Sequence, residues 1–206
     1  LQQIAIRMNM IIMVRSGVYS FLLVVLFLAS CQRNNELYGI FEMAEEHPDS
    51  ALLRLSLVNR HGLSGKDLAE YALAYTWAQD RLGLDVDDDS LIRIAYNYFK
   101  DDATTPHRAR CLYYMGKYYK LADSADLAIS CFEQAADAAS GMKDTLSECL
   151  ALEKLSRLLV QQNPARAEKL SHRATSLYSK TRVDSVNLIY NILNEGICCE
   201  YNHNTD

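Results

Sequence analysis

Apolar residues recur three and four positions apart along most of the chain beyond residue 35, the period of a helix with one buried face. The clearest stretch runs from Ala109 to Ala136. Leu112, Met115, Gly116 and Tyr119 share one face of a first helix, and Ala128, Phe132 and Ala135 share one face of a second. Gly116 and Ala128 lack bulk where two such helices would cross, so their backbones can approach. Tyr119 and Phe132 then fill the space between hairpins. A hairpin of this kind cannot bury its apolar face alone and must stack on others. The same pattern predicts hairpins over residues 35–59, 65–101, 107–137 and 144–179, with a last helix over 183–201. In the first, Gly39 stands twelve residues before Ala51, the offset from Gly116 to Ala128. Pro48-Asp49-Ser50, Asp89-Ser90 and Asp184-Ser185 read as helix openings with capping oxygens, and Pro164 as a turn. Second helices aligned on Ala51, Leu91, Ala128 and Ala167 follow at steps of 40, 37 and 39 residues. The expected fold is all-α, an α-solenoid of stacked hairpins over residues 31–206.

Residues 1–30 differ from the rest. They carry Arg7 and Arg15 and no acid, then an unbroken apolar run from Phe21 to Ala29, then Ser30-Cys31. A basic region, a short apolar region and a small-residue exit form a secretory signal peptide. The run is nine residues long, whereas a membrane span needs about 20. Leu28-Ala29-Ser30-Cys31 is similar to the bacterial lipobox, in which Cys31 would take a thioether-linked diacylglycerol and become the first mature residue. The expected address is therefore the cell envelope, anchored by acyl chains, and because Gln32-Arg33-Asn34-Asn35 lack the acidic run that resembles the surface-export signal of related lipoproteins, the protein is expected to face the periplasm.

Composition narrows the function classes. The 206-residue chain has 21 Lys and Arg against 26 Asp and Glu, and loss of the leader would lower the basic count to 19. Such an acidic domain is repelled by nucleic acid, so none is expected as a partner. Of six cysteines, Cys31 is assigned to the lipid. Cys111, Cys131 and Cys149 fall inside predicted helices and read as small buried apolar side chains. An oxidising compartment would permit a bridge. No C-x2-C pair is present, and His107/Cys111 and Cys199/His203 are isolated pairs, so no metal is expected. Asp85-Val86-Asp87-Asp88-Asp89-Ser90 lacks the glycine and glutamate a calcium loop needs, and the acidic run suits a helix N-terminus. The histidines are scattered, with no nucleophile–base–carboxylate set. The expectation is a binding protein without catalytic residues or cofactor.

The block from Leu112 to Ala135 resembles the tetratricopeptide repeat (TPR), W-x2-L-G-x2-Y followed by A-x3-F, with Leu112 and Met115 in the Trp and Leu slots. With Glu46-His47-Pro48-Asp49-Ser50-Ala51, Leu63-Ser64-Gly65-Lys66-Asp67 and Asp89-Ser90-Leu91-Ile92-Arg93-Ile94-Ala95, it resembles the lipid-anchored TPR proteins of Bacteroides and its relatives over roughly residues 28–180. The resemblance implies a TPR-like solenoid that faces the periplasm and binds a protein or peptide. Longer members of that family continue into a transmembrane helix and a coiled coil and are thought to signal. The alternative is therefore the sensory N-terminal part of a longer membrane-bound regulator. In TPR proteins ligands lie on the concave face, lined by first helices. Carried over by position, Arg110, Tyr113, Lys117, Lys120, Glu153 and Arg157 would form that surface. Their cations suit a peptide carboxylate or acidic segment; the same residues also suit a solvated helix face.

Overall fold

The computed structural model describes residues 37, 39–84, 89–181 and 185–203. Cys31 and its leader, residues 85–88 and Asp184 lie outside the described residues. Among those described there are nine α-helices and no strand. They are α1 (residues 39–46), α2 (Pro48–Leu57), α3 (Gly65–Arg81), α4 (Ser90–Phe99), α5 (His107–Leu121), α6 (Ala125–Met142), α7 (Thr145–Leu159), α8 (Pro164–Tyr178) and α9 (Ser185–His203), with a single 3-10 turn at Arg60–Gly62. No described helix is long and apolar enough to cross a membrane.

From α2 onward each helix packs against the next in sequence, and in addition α5 touches α3 and α7, and α7 touches α9. The core is one continuous cluster that takes in Ile40 and Phe41, Trp77, Leu112, Phe132, Leu155 and Ala174. Small residues sit where helices meet: Ala51, Ala95, Ala128, Ala135, Ala167 and Ala174 are all buried. Gly116 is the tightest crossing. A Cβ there would lie 2.8–3.0 Å from three ring atoms of Phe132, a side chain with no solvent exposure. Phe132 therefore fills space between α5 and α6 rather than between successive pairs, while Tyr119 is only half-buried, beside Tyr118.

Three local expectations are corrected. Gly39 is exposed and a Cβ there would meet nothing, so its offset from Ala51 does not mark a close crossing. Pro48 and Pro164 each occupy the first helical position, where the missing N–H costs nothing. Asp49 and Ser50 lie inside the first turn of α2 and Asp89 makes no capping bond. Among the described residues the side-chain caps are Asp144, which accepts from the Ser147 amide at 3.2 Å, and Asn163, which accepts from the Arg166 amide at 3.1 Å.

Candidate binding cleft

α5 is surrounded by α3, α4, α6 and α7, and eight of its fifteen residues are buried. Its polar side chains must therefore leave through the narrow sectors between neighbours. Tyr113 and Lys117, four apart, leave through the sector between α5 and α7. Glu153 and Arg157 stand 40 positions further on, on the same face of α7. These four residues line one cleft of about 470 Å³, with Asp80 and Arg81 from the end of α3, Lys154 from α7 and Tyr190 from α9. Lys120 lies beyond its rim and lines a smaller cavity of about 200 Å³ with Lys117, Lys154, Tyr114 and Phe132.

Arg110 lines neither cavity. Its guanidinium lies against the adjacent rings of Phe41 and Trp77, 4.7 and 4.4 Å from their centroids. Glu45 and Asp144 stand 3.7 and 3.8 Å away. Its charge thus ties α1, α3, α5 and the start of α7 together, a cation–π arrangement favoured by partial desolvation. Tyr113 is also more enclosed than an open concave face would have it, at 3% exposure, with its ring 5.8 Å from that of Phe132. Burial, with Asp80 and Glu153 nearby, drives its hydroxyl far above the ordinary range, so it stays neutral.

The two acids of the cleft are both engaged. Asp80 accepts a hydrogen bond from the Tyr114 hydroxyl at 3.1 Å and pairs with Lys117. Glu153 is buried and accepts from Lys154 at 3.2 Å and from Arg157 at 3.3 Å. Lys120 makes no ion pair among the described residues. Partial desolvation, then the charges of Lys154, Arg157 and Lys117, pull its ammonium below the usual lysine value despite the opposing pull of Glu153. The locale is therefore electropositive although the chain carries a net charge of −5. Four cations (Arg81, Lys117, Lys154 and Arg157) face two acids around the cleft.

Of the six residues expected on one surface, the fold brings Tyr113, Lys117, Glu153 and Arg157 together, sets Lys120 beside them and turns Arg110 inward. Asp80, Arg81, Lys154 and Tyr190 had not been anticipated. A 40-residue register would have found two of them: Lys154 follows Tyr114, and Tyr190 follows Leu150, by that step. No family model, no curated protein and no solved structure matches this chain.

Proposed function

We propose that this protein is a lipid-anchored, periplasm-facing TPR-like scaffold that binds an acidic protein segment or peptide carboxylate in the cleft between α5 and α7. The observation that carries the reading is the convergence of Lys117, Lys154, Arg157 and Arg81 on one cleft in an otherwise acidic chain. A stack of helical hairpins is the architecture in which first helices lie side by side, and the contacts of α5 with α3 and α7, and of α7 with α9, support it. Docking needs no chemistry: a rigid groove holds side chains at fixed spacing, and cations paired only by engaged acids attract a further anion. The anchor rests on Leu28-Ala29-Ser30-Cys31.

The test is crosslinking and pull-down from native membranes with wild type and with Lys120→Glu. Lys120 is the cation of choice because reversing Lys117 would also set a carboxylate against Asp80. Loss of the captured partner in a variant that melts like wild type supports the reading, and capture that weakens with added salt supports its electrostatic basis. Unchanged capture by a folded Lys120→Glu protein returns these residues to a solvated helix face. Palmitate labelling that survives Cys31→Ala refutes the anchor.

A further inference from the structure

The cavity beside the cleft differs from it in kind. It measures about 200 Å³, against about 470 Å³ for the cleft, and the two share Tyr114, Lys117 and Lys154. Its inner wall belongs to the core: Ile92 of α4, Tyr114 of α5 and Phe132 of α6 are at most 4% exposed. Thr76 of α3 is buried beside them, and Tyr118 of α5 adds a third aromatic ring. Leu84 and Leu121 stand exposed at the rim, and Lys120 is exposed there too. The cavity is thus walled by apolar and aromatic groups and edged by cations.

What it can hold follows from its size and from which polar groups are already engaged. The Thr76 hydroxyl donates to the Ala72 carbonyl of its own helix at 2.9 Å, the Tyr114 hydroxyl donates to Asp80, and Asp89 pairs with Arg93. These groups are satisfied by protein, so the interior has apolar character. An apolar cavity of about 150 Å³ holds a benzene ring, whereas sites for drug-sized ligands run to roughly 300–1,000 Å³. At about 200 Å³ the interior fits one ring and a short linker. Rings on three sides favour an aromatic body through offset and edge contacts. At the rim, Lys117 is held by Asp80 and Lys154 by Glu153, while Lys120 makes no ion pair among the described residues. One cation is left for one anionic group.

We propose that this cavity binds an arylalkanoate: a single carboxylate joined by one or two carbons to one aromatic ring, with the ring against Ile92 and Phe132 and the carboxylate at Lys120. A free acid and a peptide ending in phenylalanine offer the same chemistry. The site adjoins the cleft of the proposed function and shares two lysines with it, but it does not rest on that reading. The apolar body carries the affinity here, and an acidic segment in the cleft needs none.

The probe is 3-(4-fluorophenyl)propionate, titrated with the purified full chain and read by fluorine NMR. Saturable binding is expected, without competition from acetate, and about tenfold weaker for the neutral alcohol of the same skeleton. Lys120→Gln should weaken the acid by the same factor and leave the alcohol unchanged, which separates lost charge pairing from lost shape. Ile92→Phe should place a ring in the cavity, abolish binding of both and melt no lower than wild type. If that variant does not fold, the comparison of acid and alcohol on Lys120→Gln decides alone. Competition with acetyl-Gly-Gly-Phe tells the sources apart: displacement below the free acid's concentration assigns the site to a peptide end, and displacement only at or above it assigns the site to a free acid. No saturation, equal affinity for the alcohol, displacement by acetate, equal loss of acid and alcohol on Lys120→Gln, or undiminished binding by a folded Ile92→Phe protein would each overturn the proposal.

Discussion

Replacing Gly116 by alanine sets two opposed effects against each other at one atom. Alanine is the better helix former, by about 0.8–1.0 kcal/mol in a helix interior. Its Cβ would lie 2.8, 2.9 and 3.0 Å from Cε1, Cδ1 and Cζ of Phe132. The ring is fully buried and packed against Tyr113, so it has no solvent side to swing toward. Overpacking of this kind costs about 1–3 kcal/mol, so Gly116→Ala should be destabilising by up to about 2 kcal/mol, with a Tm lowered by about 2–4 °C per kcal/mol for a chain of this size. Gly116→Leu should be worse. The decisive measurement is a double-mutant cycle by urea unfolding. Phe132→Ala alone should cost about 3–5 kcal/mol. In that background the clash is gone and only helix propensity remains, so Gly116→Ala should become stabilising by about 1 kcal/mol. The reversal of sign isolates the contact from every effect that alanine exerts through the backbone alone. If Gly116→Ala stabilises the wild-type protein as much as it stabilises Phe132→Ala, the crossing at Gly116 is not tight and the argument fails.

Asp144→Ala removes the N-cap of α7 and one of the two carboxylates near Arg110, and should cost about 0.5–2 kcal/mol or somewhat more in urea unfolding, against the cap alone for Asn163→Ala. All five described thiols are raised, that of Cys149 to about 12, but Cys199 is only half-buried whereas Cys111, Cys131, Cys149 and Cys198 are buried, so access decides the order of reaction. Iodoacetamide at pH 8 followed by peptide mapping should therefore modify Cys199 before the other four, which should react only with denaturation. Burial opposes the Glu70 carboxylate, but hydrogen bonds and charge from His107 and Lys66 outweigh it and hold its value below the ordinary 4.5. Its contribution is thus fully present above pH 4.5 and lost as pH falls through the lower folded value, so the stability gap between wild type and Glu70→Gln should narrow on acidification. A gap independent of pH would remove Glu70 from the account.

Helix positions were legible in the chain because the apolar period is local: the α5–α6 pair, α7–α8 and α9 fall close to where periodicity sets them, although α6 runs on to Met142 past the expected 137. Capping was less legible. Asp, Ser and Asn at a helix start look alike in sequence, and whether an oxygen caps depends on the backbone one residue away, as at Asp89 against Asp144. Arg110 was misleading for a different reason. A charged residue on a helix that is buried nearly all round reads as solvent-facing, yet the rings it lies against are those of Phe41 and Trp77, 69 and 33 residues away. Nothing local announces that contact. The cleft was half legible, since positions on one helix share a face by spacing alone and a 40-residue register reaches Lys154 and Tyr190, while Asp80 and Arg81 enter from α3 only once the helices are stacked.

The electrostatics of the cleft follow from which charges are already engaged. Asp80 pairs with Lys117 and Glu153 is shared by Lys154 and Arg157, so two acids face the four cations of the cleft and leave it with excess positive charge. Partial desolvation, and after it the charges of Lys154, Arg157 and Lys117, disfavour the Lys120 ammonium, so an arriving carboxylate would relieve the repulsive part as well as form a pair. Its affinity should then decline as pH rises through the lowered Lys120 value, before an ordinary lysine titrates. The chain as a whole has the opposite sign, with a net charge of −5. Under the proposed function an acidic segment would be repelled by the net charge of the chain and attracted at the cleft, an arrangement that gives specificity and register more than raw affinity. A basic patch on a basic protein would hold any anion, whereas the cleft, under the proposed function, would take an anion that reaches between α5 and α7. An extended peptide end fits that requirement better than a flat acidic surface does.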